Sequence, residues 1–97
     1  MRRKNTETIG EVLQEFFEQN EQLRIKIAES RVLSGWGRIL GVTVASYTTD
    51  IYIRNNMLYV HLSSSVLRNE LIMAKDRLIK GLNDYAKLVI VKDIIFK

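Results

Sequence analysis

Tyr52, Arg54, Met57, Tyr59 and His61 are the residues whose types and spacing most suggest chemistry. They occupy alternate positions on either side of Asn55-Asn56, so a two-residue turn would bring them to one face of a hairpin. That face is too polar for a core and too aromatic for an ordinary solvated surface. Tyrosines on an open sheet face beside an arginine are what a base-stacking platform uses. The same Tyr52–Tyr59 pair could serve only to hold two strands together, a contribution of roughly 0.2 to 1 kcal/mol for a cross-strand pair. Both readings stay open on the residues alone.

Other chemistries are poorly supplied. His61 is the only histidine and there is no cysteine, so no His/Cys cluster can hold zinc. Opposite Asp50, His61 reads as half of a surface hydrogen-bonded pair rather than a general base. Ser63, Ser64 and Ser65 lack the flanking glycines of a nucleophile elbow. The stretch Gly35-Trp36-Gly37-Arg38-Ile39-Leu40-Gly41 has the glycines of a phosphate cradle, but no Lys-Ser/Thr follows it and no strand precedes it. Neither an enzyme, a metal nor a cofactor is expected.

The elements that must position the hairpin follow from periodicity. In the register set by Asn55-Asn56, Arg54 faces Met57, Ile53 faces Leu58, Tyr52 faces Tyr59 and Ile51 faces Val60. The reverse face is then Ile51, Ile53, Leu58, Val60 and Leu62, wholly apolar and in need of cover. Thr8 and Glu11 have capping-box spacing ahead of Ile9, Val12, Leu13, Phe16 and Phe17, which predicts a helix ending near Asn20. A second helix is predicted over Gln22 to Ser34, interrupted at Gly35. A third runs from Trp36 to about Tyr47 with Trp36 on its buried side. After the hairpin, the serines offer N-caps. Leu67, Leu71, Ala74, Leu78, Leu82 and Tyr85 then mark one face of a continuous helix from about Ser65 to Tyr85. Leu88 to Phe96, rich in Val and Ile, reads as a last strand parallel to Met57–Leu62.

The fold class is therefore α+β, ordered α-α-α-β-β-α-β, with a three-stranded mixed sheet covered by helices on one face. The expected core includes Phe16, Trp36, Gly41, Ile53, Leu58, Val60, Leu71 and Leu78. Length allows one domain, residues 8–97, behind a flexible basic N-terminus at 1–7. No stretch has the length of a membrane span and the first residues do not read as a signal peptide, so a cytoplasmic protein is expected, with no membrane partner.

The net charge of +4 is unevenly spread. Met1 to Glu29 carries five Lys/Arg against six Asp/Glu, and Ser30 to Lys97 carries ten against five. A basic surplus around the hairpin favours polyanions or acidic partners. Arg24, Lys26, Arg31, Arg38 and Arg68 join Tyr52, Arg54 and Tyr59 as candidate nucleic-acid contacts, the basic ones as a group.

Several short runs, in this order and spacing, resemble the DciA-like family of bacterial proteins. They are Trp36-x-x-Ile39-Leu40-Gly41, Ala45-x-Tyr47-Thr48, Leu58-x-Val60, Ser64-Ser65-x-Leu67-x-Asn69-Glu70-Leu71, Leu82-Asn83 and Ile94-x-Phe96. The resemblance spans almost the whole chain from Thr8. It implies a KH-like fold and a nucleoid-associated role in DNA replication: binding single-stranded or forked DNA while recruiting or loading the replicative hexameric helicase. Tyr47 replaces a more usual His, Leu67 replaces a common Trp, and the long tail of some members is lacking, so contacts assigned to such a tail do not carry over. There is no GxxG loop, so the backbone grip of KH modules is not implied either. An RNA-binding KH-like module and a small interaction adaptor without nucleic-acid binding are the alternatives. The oligomeric state is left open.

Overall fold

The computed structural model describes residues 10–16 and 19–97. In chain order they form helices α1 (10–16), α2 (Glu21–Leu40) and α3 (Val42–Tyr47), strands β1 (Thr48–Arg54) and β2 (Met57–Leu62), helices α4 (Ser65–Met73) and α5 (Lys75–Ala86), and strand β3 (Asp93–Phe96). The expected basic tip and the Thr8, Ile9 and Phe17 positions of the first helix lie outside the described residues.

Asn55 and Asn56 both take positive φ, 54° and 64°. This is the backbone a two-residue hairpin turn demands, and Asn tolerates it better than most side chains. The turn sets the antiparallel register of β1 and β2, pairing Arg54 with Met57, Ile53 with Leu58, Tyr52 with Tyr59, and Ile51 with Val60. A shift between Thr48 and Asp50 bends the start of β1. β3 lies parallel on the other edge of β2, with Leu58 beside Ile94 and Val60 beside Phe96, so the sheet order is β1-β2-β3. The result is the mixed α+β sheet the sequence predicts.

Alternation sends Leu58, Val60, Leu62 and Ile94 into the core, where Ala28, Val32 and Trp36 of α2, Leu71 of α4 and Leu82 and Ala86 of α5 meet them. Ile53 and Leu78 pack against this core from its edge. Trp36 is buried but not orphaned: its indole Nε1–H donates to Thr48 Oγ1 at 2.9 Å, and that hydroxyl donates to Val44 O. Phe16, expected in the core, is 51% exposed. Val12 and Leu13 of the same helix are 53% and 51% exposed. Gly41 is likewise not a core position but a junction.

Three boundaries differ from the sequence expectation. First, Gly35 does not break α2. It is buried, and a Cβ built there would sit 2.7 Å from two ring atoms of Tyr85, so this glycine admits α5 rather than ending a helix. The break comes at Gly41, whose φ of +96° few L side chains adopt. Second, the predicted continuous helix from Ser65 bends at Ala74 (φ −101°, ψ 11°), making the order α-α-α-β-β-α-α-β. α4 packs on β2, whereas α5 packs on α2. Third, the last strand is only Asp93–Phe96. In the segment before it, Ile90 and Val91 give their polar groups to side chains instead of a ladder: Asn83 Nδ2 donates to Val91 O, Asn83 Oδ1 accepts from Ile90 N and Val91 N, and Asn56 Nδ2 donates to Ile90 O.

The Gly35–Tyr85 contact yields a test. Gly35→Ala gains up to about 1 kcal/mol of helix propensity but overpacks against the ring at a cost of about 1 to 3 kcal/mol. The expected net is a loss of about 1 kcal/mol, read as a fall in Tm of roughly 5 °C for a domain this size. In a Tyr85→Ala background the same substitution should become stabilising; a drop of equal size there would locate the strain elsewhere.

Candidate nucleic-acid interface

Among the described residues, the helices cover one face of the sheet and leave the other open. Tyr52 and Tyr59, paired across β1 and β2, stack with ring centroids 4.9 Å apart and planes 12° off parallel. The Arg54 guanidinium lies over the Tyr52 ring at 5.6 Å from its centroid, and Lys97 Nζ lies over the Tyr59 ring at the same distance. Each tyrosine has one face against the other, so each cation takes the remaining outer face. The four side chains form a row, Lys97–Tyr59–Tyr52–Arg54, with a positive charge at each end. His61, paired with Asp50, sits 6.0 Å from Tyr52 in a tilted arrangement.

This geometry does something a bare aromatic pair does not. A cation over a ring face is attracted by the ring's quadrupole, which favours this placement of both basic side chains above the sheet. Both side chains are exposed. The face also carries two carboxylates. Asp93, beside Met57, is engaged by Lys75 at 3.2 Å and accepts from the Ile94 amide at 2.8 Å. That amide, with Lys75 after it, holds the Asp93 carboxyl below the usual carboxylate range. Asp50 Oδ1 accepts from the Ile51 amide and keeps its charge. Of the face's charges, Asp93 alone is in an ion pair among the described residues, and Arg54 and Lys97 outnumber the remaining carboxylate of Asp50.

Of the eight candidate contacts, the structure brings together Tyr52, Arg54 and Tyr59. Arg68 is half-buried on α4, and its Nε, like His61 Nε2, is buried with no hydrogen-bond partner among the described residues. Lys26 and Arg38 lie on α2, within the helical layer, Lys26 exposed and Arg38 at its last turn. Arg24 and Arg31 are also on α2. They border a cavity of about 250 Å³ that Ile27, Ala28, Ala86, Lys87 and Leu88 complete, and Arg31 Nη1 donates to Ala86 O at 3.3 Å. Sequence reasoning missed Lys97. The signal was present: in a strand parallel to Met57–Leu62, positions 93, 95 and 97 share a face with Tyr59.

Among the described residues no His/Cys/Asp/Glu group could hold a metal, and no helix is long and apolar enough to cross a membrane. The fold and this face define a small α+β module whose single mixed sheet is helix-covered on one side and open, aromatic and cationic on the other. Over residues 8–96 the chain matches the family model described as Dna[CI] antecedent, DciA, and it belongs to the DciA family. Membership gives it a helicase-loader-related role in bacterial replication, with the replicative helicase as associated partner, in a family of accessory proteins rather than known enzymes. No curated protein and no solved structure matches the chain.

Proposed function

We propose that this chain acts in helicase loading by binding single-stranded or forked DNA on its open sheet face while it recruits the replicative helicase. The observation that carries the DNA half is the Lys97–Tyr59–Tyr52–Arg54 row. Two cations at the ends of a stacked aromatic pair are biased toward positions that successive backbone phosphates can reach, which lowers the ordering cost of binding. The uncovered face needs no loop to close over the strand, so the absence of a GxxG grip is no obstacle.

A labelled single-stranded oligonucleotide titrated at several salt concentrations tests this reading. Counterion release gives a slope of log K against log salt of about −0.7 per phosphate contact for single strands. Two contacts from the row predict about −1.4, and recruitment of further basic residues takes it toward about −3. A flat response, or no binding at tens of micromolar, would remove DNA from the function and leave an adaptor of the helicase alone. Equal affinity for RNA of the same sequence would favour a general single-strand binder. Co-migration with the cognate helicase in a sizing experiment tests the other half separately.

A further inference from the structure

The cavity at the meeting of α2 and the end of α5 plays no part in the DNA reading. Its floor is apolar, from Ile27, Ala28 and Leu88, and its rim is basic, from Arg31 and Lys87 as well as Arg24. A nucleic-acid phosphate would use the rim but waste the floor. The ligand that fits both is a peptide helix with an apolar stripe and carboxylates beside it.

This chain contains such a helix. In α1, Val12, Leu13 and Phe16 are 53%, 51% and 51% exposed on one stripe. Glu11 and Glu15, four residues apart, stand next to it, and both are exposed. The apolar stripe and the acidic pair of α1 complement the floor and rim of the cavity feature by feature.

Among the described residues, α1 does not fill the cavity of its own chain: the lining begins at Arg24 and comes from α2, the end of α5 and the residues just after it, while Val12, Leu13 and Phe16 stay half exposed. The same complementarity is met when the helix comes from another chain.

We propose that α1 of a second copy docks in this cavity, with the exchange reciprocal about a two-fold axis, so that the chain forms a dimer in which each copy supplies one acidic helix and one basic groove. Reciprocity follows from closure: a one-way contact would leave an unfilled groove at one end of an open chain of copies and an undocked α1 at the other. The DNA reading is independent of this one, since the sheet face is untouched by it.

Sedimentation of the full chain across a concentration series up to about 0.5 mM, a range that captures even weak self-association, should show a monomer–dimer equilibrium. Arg31→Glu and Glu15→Arg should each weaken the dimer by about tenfold or more, because each places like charges together at both symmetric contacts. Mixing the two variants should restore it. In the mixed dimer one contact carries both reversed charges, glutamate in the groove against arginine on the helix, while the other contact keeps its native pair. Circular dichroism of each variant checks that the exposed substitutions leave the fold intact. Lys87→Glu repeats the reversal at a position whose side chain makes no bond to the backbone among the described residues. A monomer at every concentration, a dimer indifferent to all three substitutions, or a mixture that fails to associate overturns the proposal.

Discussion

Asn83→Ala should destabilise this domain by about 2 to 4 kcal/mol, the largest loss expected from any single polar substitution in it. The Asn83 amide makes three bonds to the segment ahead of β3: it donates to Val91 O at 3.0 Å and accepts from Ile90 N at 3.1 Å and Val91 N at 2.9 Å. Ile90 and Val91 are 2% and 1% exposed, so water cannot replace what is lost. Leaving a buried amide unsatisfied costs about 1 to 3 kcal/mol, and here two N–H groups lose their acceptor together. Against a total stability on the order of 5 to 15 kcal/mol for a small domain, that fraction should be plain in urea denaturation and in Tm. Asn83→Asp separates the parts. It keeps the acceptor for both amides but loses the donor and sets a carboxylate against Val91 O, so it should fall between wild type and Asn83→Ala. Faster hydrogen exchange at Ile90 and Val91 in the alanine variant, with β1 and β2 little changed, would localise the effect. An Asn83→Ala protein as stable as wild type would mean that the last segment is held by its apolar side chains alone.

Asn83 also shows where the sequence stops being readable. Leu88 to Phe96 has the composition of a strand, and its second half is one. The first half cannot join the ladder because its backbone groups are taken by side chains, Asn83 from α5 and Asn56 from the hairpin turn. Such bonds span eight residues for Asn83 to Val91 and thirty-four for Asn56 to Ile90, and no local pattern announces them. The hairpin was legible for the opposite reason. Turn chemistry at Asn55-Asn56 and period-two alternation are local, and together they fix the register residue by residue. Gly35 carried an ambiguous signal, because a glycine in a helix is either a break or a close approach, and only the position of Tyr85 decides. At Ala74 there was no signal at all. Ile72, Met73, Ala74 and Lys75 contain no helix breaker, and the bend follows from α4 and α5 packing on different neighbours.

The candidate site divides in the same way. Tyr52, Arg54 and Tyr59 are placed by the hairpin, so their shared face followed from alternation. Arg24, Arg31 and Arg38 looked equivalent to Arg54 when counted only as charges. Helix α2 turns its apolar side to the covered face of the sheet, which sends its basic residues away from the open one. Lys97 joins the site through the parallel pairing of β3, a contact set by the crossover from β2 rather than by anything adjacent to it in sequence.

Reversing both ends of the aromatic row, Arg54→Glu with Lys97→Glu, should lower the affinity for a single-stranded oligonucleotide by about tenfold per position. It should also flatten the salt dependence by about 0.7 for each phosphate contact removed. Neither side chain supports the core, so Tm should change by little more than the loss of two partly exposed cation–π contacts, each about 0.5 to 1 kcal/mol. Comparison with Tyr52→Leu decides how the row works. If the rings mainly hold the cations, the leucine variant loses affinity modestly, and part of its salt slope goes with it because Arg54 is no longer held. If bases instead stack on the rings, displacing the cations from their faces, the leucine variant loses about 1 to 3 kcal/mol of binding with its salt slope unchanged, since stacking releases no counterions. The placement of Arg54 and Lys97 over the two rings, each 5.6 Å from a centroid, favours the first pattern. Unchanged affinity in the Arg54→Glu, Lys97→Glu double variant would move DNA binding off the sheet altogether, to the basic residues of the helical layer.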